Sequence, residues 1–251
     1  MPLNGVAEID KALDMLSRAS ARSFLKIWAS APSREKAALI EYLTPNLLAL
    51  IEAGHEEAST LALEQLNWQR AGVDLPTELA AKPSQEAIEE SIRFLVVARD
   101  AAVLREAIWG MVDRHIQNGH NETILLSSLA AGNGYARQPE PGACSFCLML
   151  ASRGAVYASA EHASRVGAPG VVMRGFAKKG DRFHDNCKCR AVEVSDGDGL
   201  PPQAVELRKL WIDTFYEAGQ PILEATDFRS EEHTSETPVT STRPSRMPSS
   251  A

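Results

Sequence analysis

All four cysteines of this 251-residue chain fall in one stretch, from Cys144 to Cys189, and they come in two groups. Cys144-Ser145-Phe146-Cys147 is followed, after 36 residues, by His184-Asp185-Asn186-Cys187-Lys188-Cys189. Two thiolates separated by two residues can turn back onto one ion, and a distant second pair completes a tetrahedron once the intervening chain folds over. Cys144, Cys147, His184, Cys187 and Cys189 are therefore the candidate metal ligands, five donors competing for one tetrahedral site. The first choice is Cys144, Cys147, His184 and Cys187, with Cys189 as the substitute where His184 has other work. The cofactor that suits this donor set is Zn2+, and zinc held by a full set of protein ligands keeps no position open for water, so its role is structural. The competing reading is a cluster of buried reduced thiols that pack as small apolar groups.

The same residues bear on catalysis. A thiol peptidase would use Cys144 or Cys147 as nucleophile, His184 as base and Asp185 or Asn186 to orient it. That assignment consumes the metal donors, so the two readings exclude each other. A serine route would draw on Ser152 or Ser159 with His162 or His184. The sequence contains no H-E-x-x-H for a metalloprotease and no phosphate-binding G-x-x-x-x-G-K-[ST]. His115 and His120 read as cations near the C-terminal end of a long helix.

A formal net charge of -7 and an isoelectric point near 5.5 argue against a surface built to coat nucleic acid. One basic cluster stands out: Arg165, Arg174, Lys178, Lys179, Arg182, Lys188 and Arg190. It reads as a solvated face, with a phosphate or acidic partner as the alternative. Glu8 and Asp10 interrupt the N-terminal residues, so no signal peptide is expected there, and no stretch is long and apolar enough to span a bilayer. Synthesis in a reducing cytoplasm is expected, where cysteines serve as thiols or metal ligands.

Apolar periodicity predicts an α+β fold that is mainly α, a helical N-terminal region followed by a small Cys/His-rich α+β module. Residues 5–30 carry Ile9, Leu13, Leu16, Phe24, Leu25, Ile27 and Trp28 at helical spacing. A second helix, capped by Ser33, runs through Leu39 and Leu43, is interrupted or kinked at Thr44-Pro45, and resumes towards Trp68. Residues 72–83 read as a linker. The clearest pattern starts at Ser84 and carries Ile88, Ile92, Leu95, Val96, Leu104, Ile108 and Val112 to a stop near Asn118-Gly119, before a short helix from Glu122 to Leu129. Ala131-Gly132-Asn133-Gly134 is a turn that opens the next module.

Beyond it, residues 155–157, 171–173 and 190–194 read as strand-like pieces, and Pro201-Pro202 opens a final helix with Leu210 and Trp211. Trp28, Trp68, Trp109 and Trp211 read as core or partner-facing residues. The expected units are 1–131, a helical assembly region; 132–200, the Cys/His-rich module; 201–228, a C-terminal helix; and 229–251, which matches one reading frame of a common sequencing adapter, with a Ser/Thr/Pro-rich disordered tail as the alternative.

The segment Ala143 to Tyr157, with its C-x2-C, together with Arg182 to Arg190, with its H-x2-C-x-C, resembles the C-terminal module of MuF-like minor head proteins of phages infecting actinobacteria. The likeness covers roughly residues 135–195; upstream, a generic helical pattern agrees. It implies a bacteriophage protein assembled in the host bacterial cytoplasm and carried in the virion, associated with the portal and acting in head morphogenesis and DNA ejection. The implied partners are portal, scaffold and major capsid proteins, with no membrane and no strong nucleic-acid binding. Members of this group are also labelled capsid maturation proteases, which implies the alternative of a peptidase processing scaffold or major capsid protein through Cys144, Cys147 or His184.

Overall fold

A computed structural model describes residues 5–140, 142, 143, 145–152, 189–195, 205–210 and 213. The elements run α1 (Val6–Ala29), α2 (Lys36–Gln69), α3 (Gln85–Ala98), α4 (Ala101–Ala130), β1 (Gly134–Pro139), α5 (Ser145–Ser152) and β2 (Cys189–Val194). The fold is α+β and mainly α, as the periodicity predicts, with β1 and β2 forming a two-stranded antiparallel sheet. Residues 205–210 are helical, within the helix expected after Pro201-Pro202. The expected strand-like pieces at 155–157 and 171–173 and the segment 229–251 lie outside the described residues.

Four helices share one apolar core. Leu39, Leu43, Leu47 and Ile51 of α2 meet Ile88, Ile92 and Val96 of α3, with Leu104, Ile108, Val112 and Ile116 of α4 and Ile9, Leu13 and Phe24 of α1. Steps of three and four residues put each set on one helix face, and each fully buried aliphatic side chain contributes roughly 2 kcal/mol. The Phe24 and Trp109 rings lie 5.5 Å apart between centroids, so Trp109 and its neighbour Trp28 pack against the core as expected. Trp68 is half exposed.

The two long helices run in the same direction: Gly54 faces Ile116, Ser59 reaches Gly119, and Arg70 reaches Ser127. A return path is needed between them, and the extended chain after α2 together with α3 supplies it. Its backbone is held by hydroxyls of α4: Glu78 N–H donates to Ser127 Oγ at 2.8 Å and Ala80 N–H to Thr123 Oγ1 at 3.0 Å. The segment read as a linker is thus fastened along much of its length.

Several sequence expectations need correction. α2 is continuous through Pro45, although proline cannot donate to the carbonyl of Glu41. The Oγ1 of Thr44 and the Nδ2 of Asn46 donate to the carbonyls of Ile40 and Tyr42, so polar side chains flank the missing bond. Ser33 does not cap the helix directly; its Oγ accepts from the N–H of Glu35, the N-cap residue. The long pattern from Ser84 is two helices, broken where Arg99 and Asp100 adopt extended backbone. Ser84 caps the first as expected, accepting from Ala87 N–H. α4 then passes through Asn118-Gly119 without stopping and absorbs the expected short helix.

Candidate functional site

The ribbon carries the described part of the cysteine pattern. Its register pairs Pro139 with Cys189, Arg137 with Ala191 and Tyr135 with Glu193. After β1 the chain turns at Gly142 and enters α5, which brings Cys147 against Cys189 in one buried cluster with Ala143 alongside. Cys147 is fully buried and Cys189 nearly so. One member of each sequence group is therefore brought into the other's company. Cys144, His184 and Cys187 lie outside the described residues, as does His162. Among the described residues no group of three or more His, Cys, Asp or Glu is gathered that could hold a metal ion.

Beneath the cysteines the ribbon is fastened to the helices by a polar layer. β2 is buried on both faces, including Glu193. Arg70, at the C-terminal end of α2, meets the Glu193 carboxylate in a fork, with Nε and Nη2 at 2.8 and 2.7 Å. Its remaining N–H groups donate to the carbonyls of Leu75, Pro76 and Ser127, so all donors of the guanidinium are used. One arginine thus ties α2, the extended segment, α4 and β2 together.

The outer edge of β2 is closed by amides. Ala191 N–H donates to Asn121 Oδ1 at 2.8 Å, and its carbonyl accepts from Gln65 Nε2 at 3.2 Å. These contacts take the place of a third strand at Ala191, satisfying both its outward backbone groups. His120 Nε2 lies 2.9 Å from Gln65 Oε1. Because that oxygen accepts, the imidazole must carry its proton on Nε2.

Arg190 projects towards the opposite side of the ribbon and is bracketed by carboxylates. It donates to Asp10 at 2.9 Å and Asp14 at 3.0 Å, and its Nε is paired with Glu140. Arg190 therefore leaves the basic cluster in which the sequence reading placed it; its side chain is turned inward and neutralised. Burial holds the Asp10 carboxyl above its usual range, against the pull of Arg190.

His115 and His120 are mid-helix residues rather than helix-end cations. Burial lowers His120 to about 4, with Arg190 adding to the effect and the Asn121 contact opposing it. Burial also lowers His115 to about 3, with Arg114 and His55 contributing, and its Nε2 is sealed from solvent. His55 on α2 is lowered by burial and by Lys82. Each imidazole is neutral in the fold but takes a proton near pH 6.5 once unfolded, so stability is complete above that pH and is lost as pH falls. For His120 the loss runs from about pH 6.5 to about 4, with a slope of at most roughly 1.4 kcal/mol per pH unit. Asp10 acts in the opposite sense at the acid end. Denaturant titrations between pH 7 and 4 should show this decline, and His120→Gln, which retains a donor for Gln65, should flatten it; an unchanged slope would count against a buried neutral imidazole.

Sequence reasoning missed Gln65, Arg70, Asn121 and Glu193. The available signal was Glu193, which with Arg190 puts two charges into a six-residue strand, and alternation with Val192 and Val194 reads such a charge as facing solvent rather than a buried partner.

A family model described as VG15 protein matches residues 3–214. No curated protein and no solved structure matches the chain.

Proposed function

The chain belongs to the VG15 protein family, a family of phage gene products, and from that premise we propose that it is a minor head protein built into the virion beside the portal, acting in head morphogenesis and DNA ejection. One observation carries this reading: the cysteine-bearing ribbon is a fixed part of the helical body. Arg70, Gln65 and Asn121 hold β2 through side-chain contacts that span 123, 126 and 70 residues of sequence, and the Cys147 thiol is enclosed rather than presented to a substrate. Such an arrangement suits a scaffold that keeps its shape while other head proteins assemble on it. A nucleophile has to meet its substrate, so the enclosure weighs against the peptidase alternative at Cys147.

Within this reading the cysteine module is stapled by a structural Zn2+. The donor chemistry fits: two thiols lie together in a buried site, and soft sulfur ligands suit zinc. Cys147 and Cys189 are the described members, and two of Cys144, His184 and Cys187 would complete the four ligands. The packing of Cys189 against Cys147 favours including Cys189 among the ligands. Zinc would close the module by joining chain segments that are far apart in sequence.

Full-length protein should release about one zinc per chain on denaturation, measured with a colorimetric chelator, and co-purify with a co-expressed phage portal protein. Cys147→Ser should abolish the zinc signal. Zinc-free protein of unchanged thermal stability would sink the staple, and failure to associate with portal or assembled heads would sink the minor-head assignment. Cleavage of scaffold or major capsid protein on co-expression, lost in Cys147→Ser, would favour the peptidase instead.

A further inference from the structure

The outward face of α1 carries an uncompensated basic stripe. Lys11, Arg18, Arg22 and Lys26 are all exposed and lie opposite the buried Ile9, Leu13 and Phe24. Met15 and Leu25, 62% and 50% exposed, sit among them. At ~100° per residue these six side chains fall within an arc of about 100°. Glu8 stands at the N-terminal edge of the stripe, while the other acids of the helix, Asp10 and Asp14, are turned to Arg190.

Of the exposed bases elsewhere, Lys82 is paired with Glu56 at 2.8 Å and Arg93 with Glu89 and Arg105 with Glu106, both at 2.7 Å; Arg34 and Lys36 donate to the carbonyls of Trp28 and Val97, and Arg99 and Lys209 make no ion pair with a described residue. The four bases of the α1 stripe make no ion pair with a described residue. This concentration of positive charge is carried by a chain whose formal net charge is -7.

We propose that this face docks an acidic amphipathic helix of a partner protein, with carboxylates against the four cations and apolar side chains over Met15 and Leu25. From Lys11 to Lys26 the stripe spans roughly 22 Å, about four turns of an opposing helix. Charge complementarity sets the sign of the partner, and the two large apolar groups set its kind. Met15 and Leu25 gain nothing against a phosphate backbone, and the acidic balance of the whole chain opposes a long polyanion. A helix lying on a membrane inserts its continuous apolar face, but that face of α1 is already committed to the core. This inference does not depend on the minor-head assignment.

The test measures fluorescence anisotropy of the full-length protein with a labelled synthetic helix that carries Glu and Leu at the complementary spacing. A shuffled peptide of identical composition, a short DNA duplex and phosphatidylglycerol vesicles serve as the other arms. The patterned peptide should bind, and Arg18→Glu with Arg22→Glu should weaken it about tenfold or more. Met15→Ser with Leu25→Ser should also weaken it, with thermal unfolding unchanged because the side chains are exposed. Should that pair lower thermal stability, the Arg18 and Arg22 pair decides alone. Equal binding of the shuffled peptide, tighter binding of duplex or vesicles, no binding of the patterned peptide, or indifference to the Arg18 and Arg22 pair would each overturn the proposal.

Discussion

Arg70→Ala is expected to lower the unfolding free energy by about 3–5 kcal/mol, because it strands a buried carboxylate rather than merely deleting a surface charge. The Arg70 and Glu193 side chains are 4% and 2% exposed, so water cannot replace the lost guanidinium. The carbonyls of Leu75, Pro76 and Ser127 lose a donor at the same time. In chemical denaturation the midpoint should fall accordingly. Arg70→Lys should recover little, since an ammonium cannot form the fork. Arg70→Met combined with Glu193→Leu should recover much of the loss, because the desolvation of both charges disappears with them. A single Arg70→Ala variant within about 1 kcal/mol of the parent would mean that the fork is open to solvent and worth no more than a surface pair.

Gly119→Ala is the second large effect, and its sign runs against propensity. In an exposed helix interior this change stabilises by roughly 1 kcal/mol. Here the added Cβ would sit 2.2 Å from the carbonyl oxygen of His55 and 3.1 Å from its Cα. Both belong to the α2 backbone, so no rotamer relieves the clash and the helices must part. A net loss of about 3 kcal/mol is expected, visible as a drop in melting temperature on the order of 10 °C. Gly54→Ala provides the comparison: its Cβ would meet the Ile116 side chain at 2.8 Å, and a side chain can yield where a backbone cannot. It should cost less than Gly119→Ala. The reverse order would refute the close approach of α2 and α4 at His55.

Most of the helical content was legible because burial repeats every three or four residues, as in Leu39, Leu43, Leu47 and Ile51. Boundaries were misread where tertiary packing outweighs local rules. Gly119 looks like a terminator but is required mid-helix by the closeness of α2. Asn118, His120 and Asn121 look polar and exposed, yet they are buried, and Asn121 hydrogen-bonds to a strand 70 residues later in the chain. The β2 strand was predicted from the alternation around Val192 and Val194; β1 was not, because its Gly134, Arg137 and Pro139 carry no strand signal of their own. At the cysteine site, the described residues show Cys147 and Cys189, one from each sequence group, packed together; Cys144, His184 and Cys187 lie outside them. Which side chains fasten that ribbon to the helices is a property of three-dimensional proximity, and periodicity holds no record of it.

The helix pair and the strand that completes it are made at very different times. A ribosome will have released Gln65, Arg70, His120 and Asn121 well before it reaches Ala191 and Glu193, so the emerging bundle carries a wet, polar seam that lacks its final occupant. A truncated or stalled product would keep that seam exposed and Arg70 without its carboxylate, and so be recognisably unfinished. Completion of the domain is thereby coupled to arrival of the cysteine segment, and any assembly that selects for the closed seam takes up chains translated at least as far as β2.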